Sequence, residues 1–147
     1  MNGFSKAFVI VVVATGLLTA GCLTSPSTPP SAHDVDTSLN GVWSREDGEI
    51  VVTFTDSNGV FTQINSNSGW RQVQNNGAIK IGDAKFRNIT MTDNLRWTCQ
   101  NLTYNTRDYS MSWIKCTITM DANGQTIRTF SEGSSIENSS NTYTRVQ

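Results

Sequence analysis

The chain has 147 residues with 11 basic and 12 acidic side chains, one histidine and three cysteines. Its formal net charge is −1, and its arginines and lysines stand singly among neutral and acidic neighbours. Phosphate backbones demand a clustered basic face, so nucleic acid is excluded as a partner.

At the N-terminus Lys6 precedes the apolar run from Ala7 to Leu18, and the small residues Thr19, Ala20 and Gly21 lead to Cys22. As a helix that run rises about 18 Å, well short of a bilayer core of about 30 Å, so it predicts a cleaved signal peptide over residues 1–21 and not a permanent span. The order Leu18-Thr19-Ala20-Gly21-Cys22 resembles the lipobox of bacterial lipoproteins. That resemblance implies cleavage before Cys22, a diacylglycerol on its thiol, two or three acyl chains such as palmitate on the residue in all, and durable membrane attachment. Leu23 is not the aspartate that retains some lipoproteins at the inner membrane, so the outer membrane of the cell envelope is the expected address. An ordinary secreted protein is the alternative.

From Leu23 to Ser38 the chain holds all three prolines and almost nothing to bury. Residues 22–38 are therefore expected to be a lipidated cysteine followed by a disordered, semi-extended Pro/Ser/Thr tether. His33, the only histidine, falls in it and reads as a solvated polar residue. The globular part, residues 39–147, has the length of one domain with one core.

With Cys22 lipidated, Cys99 and Cys116 remain, and an exported chain meets an oxidising compartment, so a disulfide between them is expected. A metal site is the alternative, but no CxxC spacing and no histidine in the domain help to build one. Neither a metal nor a cofactor is expected.

Glycine, asparagine, aspartate and serine recur every eight to twelve residues beyond Ser38, with threonine, valine, isoleucine and aromatics between them. This pattern predicts short antiparallel strands joined by tight turns. Ten strands are expected: Gly41 to Ser44, Glu49 to Thr55, Val60 to Asn65, Gly69 to Gln74, Ala78 to Ile81, Lys85 to Thr90, Leu95 to Thr103, Tyr109 to Met120, Thr126 to Ser131 and Thr142 to Val146. The turns Asp56-Ser57-Asn58-Gly59 and Asp121-Ala122-Asn123-Gly124 share a pattern in which aspartate caps the turn and glycine takes the left-handed conformation. Both lack the carboxylates of a calcium loop.

The longest hairpin carries an internal test, because antiparallel partners have residue numbers of constant sum. Pairing Cys99 with Cys116 places Trp97 opposite Ile118 and Leu95 opposite Met120, with the tip between Arg107 and Asp108. All six side chains then share one face, while Arg96, Thr98, Gln100, Lys115, Thr117 and Thr119 share the other. The expected core includes Trp43, Phe54, Trp97, Ile118 and Met120. A meander of about eight to ten strands with one apolar face must close or fold over, so the fold class is all-β, an antiparallel up-and-down barrel. A two-sheet sandwich is the alternative.

The opening Leu39-Asn40-Gly41-Val42-Trp43 and the closing Tyr143-Thr144-Arg145 resemble the calycin superfamily of lipocalin-like and avidin-like barrels. There a glycine, a spacer and a tryptophan open the first strand, and an arginine from the last strand lies across that indole. The resemblance implies that Gly41, Trp43 and Arg145 are elements of the fold and not ligand contacts.

No catalytic residue is expected. A serine-histidine-aspartate triad cannot be assembled in a domain without histidine. Glu46, Asp47 and Glu49 could in form supply paired carboxylates, but beside Gly48 they read as a solvated turn. Three roles stand open: a membrane-anchored barrel holding a small apolar ligand, a protein-interaction role such as hydrolase inhibition, or a structural envelope component. Any recognition surface is expected around Trp70, Arg71 and Trp113, with Trp70 and Trp113 partly exposed.

Overall fold

The computed structural model describes residues 38–133 and 140–146. The expected signal peptide, Cys22 and nearly all of the expected tether lie outside the described residues. Eight strands follow in order: β1 (Gly41–Arg45), β2 (Ile50–Thr55), β3 (Asn58–Ile64), β4 (Ala84–Asp93), β5 (Arg96–Tyr104), β6 (Met111–Met120), β7 (Thr126–Ser131) and β8 (Ser140–Arg145). A single helix, α1 (Gly69–Asn75), interrupts the series between β3 and β4. Each strand pairs antiparallel with its neighbour, and β1 pairs with β8 to close a barrel. Closure removes every sheet edge, which is why the barrel and not the sandwich satisfies the backbone here.

The longest hairpin has the expected register, with Cys99 opposite Cys116 and Trp97 opposite Ile118. Trp97, Cys99, Cys116, Ile118 and Met120 are buried, while Arg96, Thr98 and Lys115 are exposed. The chain reverses from Asn105 to Ser110, centred on the expected tip. β5 begins one residue later than expected, because Leu95 takes φ +58° in the turn before it.

Two expected strands are absent. Gly69 to Gln74 is helical because Ser68 caps it, its Oγ accepting from the Trp70 amide at 2.9 Å, and because Trp70 and Val73 bury one face at i, i+3 spacing. It ends in a Schellman motif: Gly77 has φ +75°, its N–H donates to the Gln74 carbonyl, and the Ala78 N–H donates to that of Val73. Ala78 to Ile81 forms no strand, since Asp83 caps the Lys80 amide at 2.8 Å and Gly82 turns the chain at φ +94°. The two Asp-x-Asn-Gly turns also differ from one another. Gly124 has the expected φ of +70°, but in the first turn Asp56 takes the positive φ instead. Gly59 serves a steric purpose: a Cβ there would stand 3.0 Å from the Phe54 ring and 3.1 Å from Val52.

The two ends of the barrel differ. At one end the connections are tight turns, and the end is closed by Arg145, whose guanidinium lies 4.5 Å from the Trp43 ring. Arg145 also donates to the carbonyls of Gly124, Asn40 and Ser38, and the Trp43 indole donates to the Leu39 carbonyl. Gly41, at φ +135°, leaves room for this group, since a Cβ there would meet Arg145 Nη1 at 3.0 Å. The interior above is packed with Phe54, Phe61, Phe86, Ile118, Ile127 and Tyr143. At the other end stand the connections β1–β2, β3–β4 with α1, β5–β6 and β7–β8.

Candidate functional site

A cleft of about 700 Å³ opens at this second end, walled by side chains from β1, β4, β5, β6, β8 and α1. Its floor is set by a β-bulge. The adjacent residues Gly59 and Val60 of β3 face Phe86 and Ala84, two apart on β4, which leaves Lys85 as the extra residue. A bulge re-aims the side chain it carries. Strict alternation would send Lys85 outward, yet Lys85 and Phe86 are both buried, and Lys85 is only 3% exposed.

The Lys85 ammonium donates to Asn101 Oδ1 and to the Leu102 carbonyl. It lies 4.7 Å from the centre of the Trp70 ring and 5.1 Å from that of Phe86, a cation–π arrangement. Asn101 in turn donates to Ser131 Oγ at 2.9 Å, so a polar layer crosses the barrel above its aromatic core. Burial, and after it the positive charge of Arg45, lower the Lys85 pKa from 10.5 to about 7.

Arg45 collects the acidic residues of the first turn. It donates to Asp47 through Nε at 2.8 Å, pairs with it through Nη2 at 2.7 Å, and also pairs with Glu49. Burial works against the charge on Asp47, but the hydrogen bonds from Arg45 and from the Glu49 amide hold its carboxyl below the usual range. The solvated turn expected around Glu46, Asp47 and Glu49 is thus in part an ion-paired wall of the cleft; only Glu46 stays apart from it.

Trp70, expected at the surface, is buried at 3% exposure because the helix turns it inward. It stands edge-on to Tyr104 with centroids 4.7 Å apart and tilts against Phe61 at 5.0 Å. Arg71 donates to Gln74 Oε1 at 2.5 Å and to the Ile64 carbonyl. Trp113 is half-buried on the outer face, with the Arg87 guanidinium 3.9 Å above its ring. Trp70, Arg71 and Trp113 do not share a surface: Trp70 belongs to the cleft, and Trp113 lies on the outside of β6.

Cys99 and Cys116 are buried thiols directly opposite one another. The hydrogen bond to Cys116 and burial push the Cys99 thiol up.

One of the three open roles, a barrel holding a small apolar ligand, would need an apolar cavity. Here aromatic and aliphatic side chains fill the apolar interior, and the space left is walled by Arg45, Lys85, Asn101, Thr103, Ser112 and Asn141. Such surroundings suit a polar guest. Sequence reasoning missed Lys85 because nothing in the run Ala84-Lys85-Phe86-Arg87 marks the bulge.

A closed eight-stranded up-and-down antiparallel barrel, with an arginine stacked on the first-strand tryptophan at one end and a cleft at the other, is consistent with a calycin-like fold. Comparison of the chain with protein-family models, with curated proteins and with solved structures finds no match.

Proposed function

We propose that the protein is a lipid-anchored envelope lipoprotein whose barrel binds a small polar molecule in its end cleft. The observation that carries the ligand reading is the cleft itself, about 700 Å³ of polar-walled space above an otherwise packed barrel. Ligand sites are few, concave and furnished with convergent polar groups. The anchor rests on the order Leu18 to Cys22 behind a short apolar run. The chain enters the barrel beside Arg145, at the closed end, so the cleft opens at the opposite end. The protein-interaction reading has less support, because the large exposed apolar side chains are scattered along the chain: Met91, Met111 and Phe130 on β4, β6 and β7, and Ile81 and Val146 outside the strands.

The test uses the fluorescence of the mature lipidated protein in detergent, titrated with a fragment library of small polar molecules, since Trp70 stands in the cleft wall. A saturable change that disappears in Ser112→Phe, which fills the cleft, is expected. Equal responses in both proteins would remove the cleft as the site.

A further inference from the structure

We propose that the ligand of the cleft is a small monocarboxylate, held by Lys85 as the counter-charge this buried ammonium lacks. The inference rests on the reading of the cleft as a ligand site.

Buried charges are ordinarily paired, because an ion taken from water without a counter-charge is costly. Lys85 departs from that rule. Both of its hydrogen-bond acceptors, the Asn101 amide oxygen and the Leu102 carbonyl, are neutral, and no ion pair to it occurs among the described residues. The carboxylates nearest the mouth, Asp47 and Glu49, are both engaged by Arg45. An ammonium has three donors; two are used by Asn101 and Leu102, the Trp70 and Phe86 rings stand beside it, and Lys85 is among the residues that line the cleft.

The charges that line the cleft set the class of ligand. The cleft lining holds Arg45, Lys85 and Arg107 together with Asp47 and Glu49, one net positive charge when Lys85 is protonated. A carboxylate matches it. A phosphate monoester, at about −1.5 to −2, overshoots it and would stand against Asp47 and Glu49. Cys116 from β6 and Cys99 from β5 favour the charge on Lys85 only as free thiols, a contribution that a link between them removes. Burial acts first against that charge and Arg45 from β1 second, and they lower the pKa to about 7, a cost that no ion pair among the described residues offsets. A bound carboxylate supplies such a pair and moves the value upward.

The mature lipidated protein in detergent is titrated with a panel of N-acetyl amino acids, with the matching amides and with inorganic phosphate, across pH 6 to 9. Binding is followed by tryptophan fluorescence and by the side-chain NMR signals of labelled lysine. The acids are expected to bind roughly tenfold or more tighter than their amides at pH 6, with the preference fading toward pH 9 and absent in Lys85→Met. In the wild-type protein, saturating acid should move the Lys85 midpoint up by about one pH unit or more. That readout does not depend on the variant. Amides binding as tightly as acids, phosphate binding more tightly than either, or an unmoved midpoint would each overturn the carboxylate while leaving the cleft as a ligand site. Absence of any binding overturns both readings.

Discussion

Lys85 is charged when exposed to water and costly to charge when buried, and this makes the stability of the barrel depend on pH in a defined direction. Its folded value, about 7, lies below its unfolded value near 10.5. Between those two values the unfolded chain binds a proton that the folded chain does not, so stability falls as pH drops from about 10.5 to about 7 and this contribution is level below. Lys85→Met removes the cost. Relative to the wild type its stability should rise by about 1–4 kcal/mol as the pH falls from 10 to 6, as thermal melts at the two values would show. At both values this is offset by the two acceptors, Asn101 Oδ1 and the Leu102 carbonyl, that methionine leaves without a donor. Arg145 behaves differently, because its charge is spread over a plane that stacks on Trp43 while its N–H groups reach three carbonyls. A lysine cannot do both, so Arg145→Lys should cost about 1–3 kcal/mol in a denaturant titration. Of these two residues, the arginine was legible from the first-strand motif and the lysine was not. Alternation along β4 assigns Lys85 to the outside, and only the pairing of β3 with β4 reveals the extra residue.

Among the elements, α1 shapes the cleft most directly, through the contact of its first residue with β5. A Cβ on Gly69 would stand 1.8 Å from the Tyr104 hydroxyl, so Gly69→Ala must swing Tyr104 away from Trp70 and from Tyr109, 6.0 Å away. The expected loss is about 1–3 kcal/mol. A double-mutant cycle with Tyr104→Ala should show clear non-additivity, since the two changes relieve the same collision. The β5–β6 hairpin carries a second prediction. Cys99 and Cys116 oppose one another across it, and in an oxidising compartment they are expected to link. Intact-mass measurement of unreduced protein should find the chain two hydrogens lighter. Reduction should then destabilise it by about 3 kcal/mol, the loop-closure entropy of roughly seventeen residues. The hairpin was readable because two apolar pairs, a cysteine pair and a polar tip all demand one register. The helix was not read, although Ser68 before it and Asn76-Gly77 after it are cap signals. Seven residues hold too few turns to show a helical period.

For the molecule as a whole, attachment and architecture are separable. Cys22→Ala should move the protein from the membrane to the soluble fraction while leaving the barrel folded, and fractionation with a parallel melting curve checks both halves of that expectation. The order of strands, the up-and-down topology and the apolar set on β5 and β6 follow from the chain alone, because turn residues and alternation are local properties that survive into the fold. The stacking of Arg145 on Trp43 is what the calycin resemblance implied, and the pairing of β1 with β8 brings the two together. What only the tertiary structure decided is the interior of the mouth. Whether a barrel of this size keeps a cleft, whether that cleft is polar, and which lysine faces it depend on a bulge set by pairing across strands and on a tryptophan folded inward by a short helix. Those are contacts between residues distant in sequence, and no local pattern encodes them.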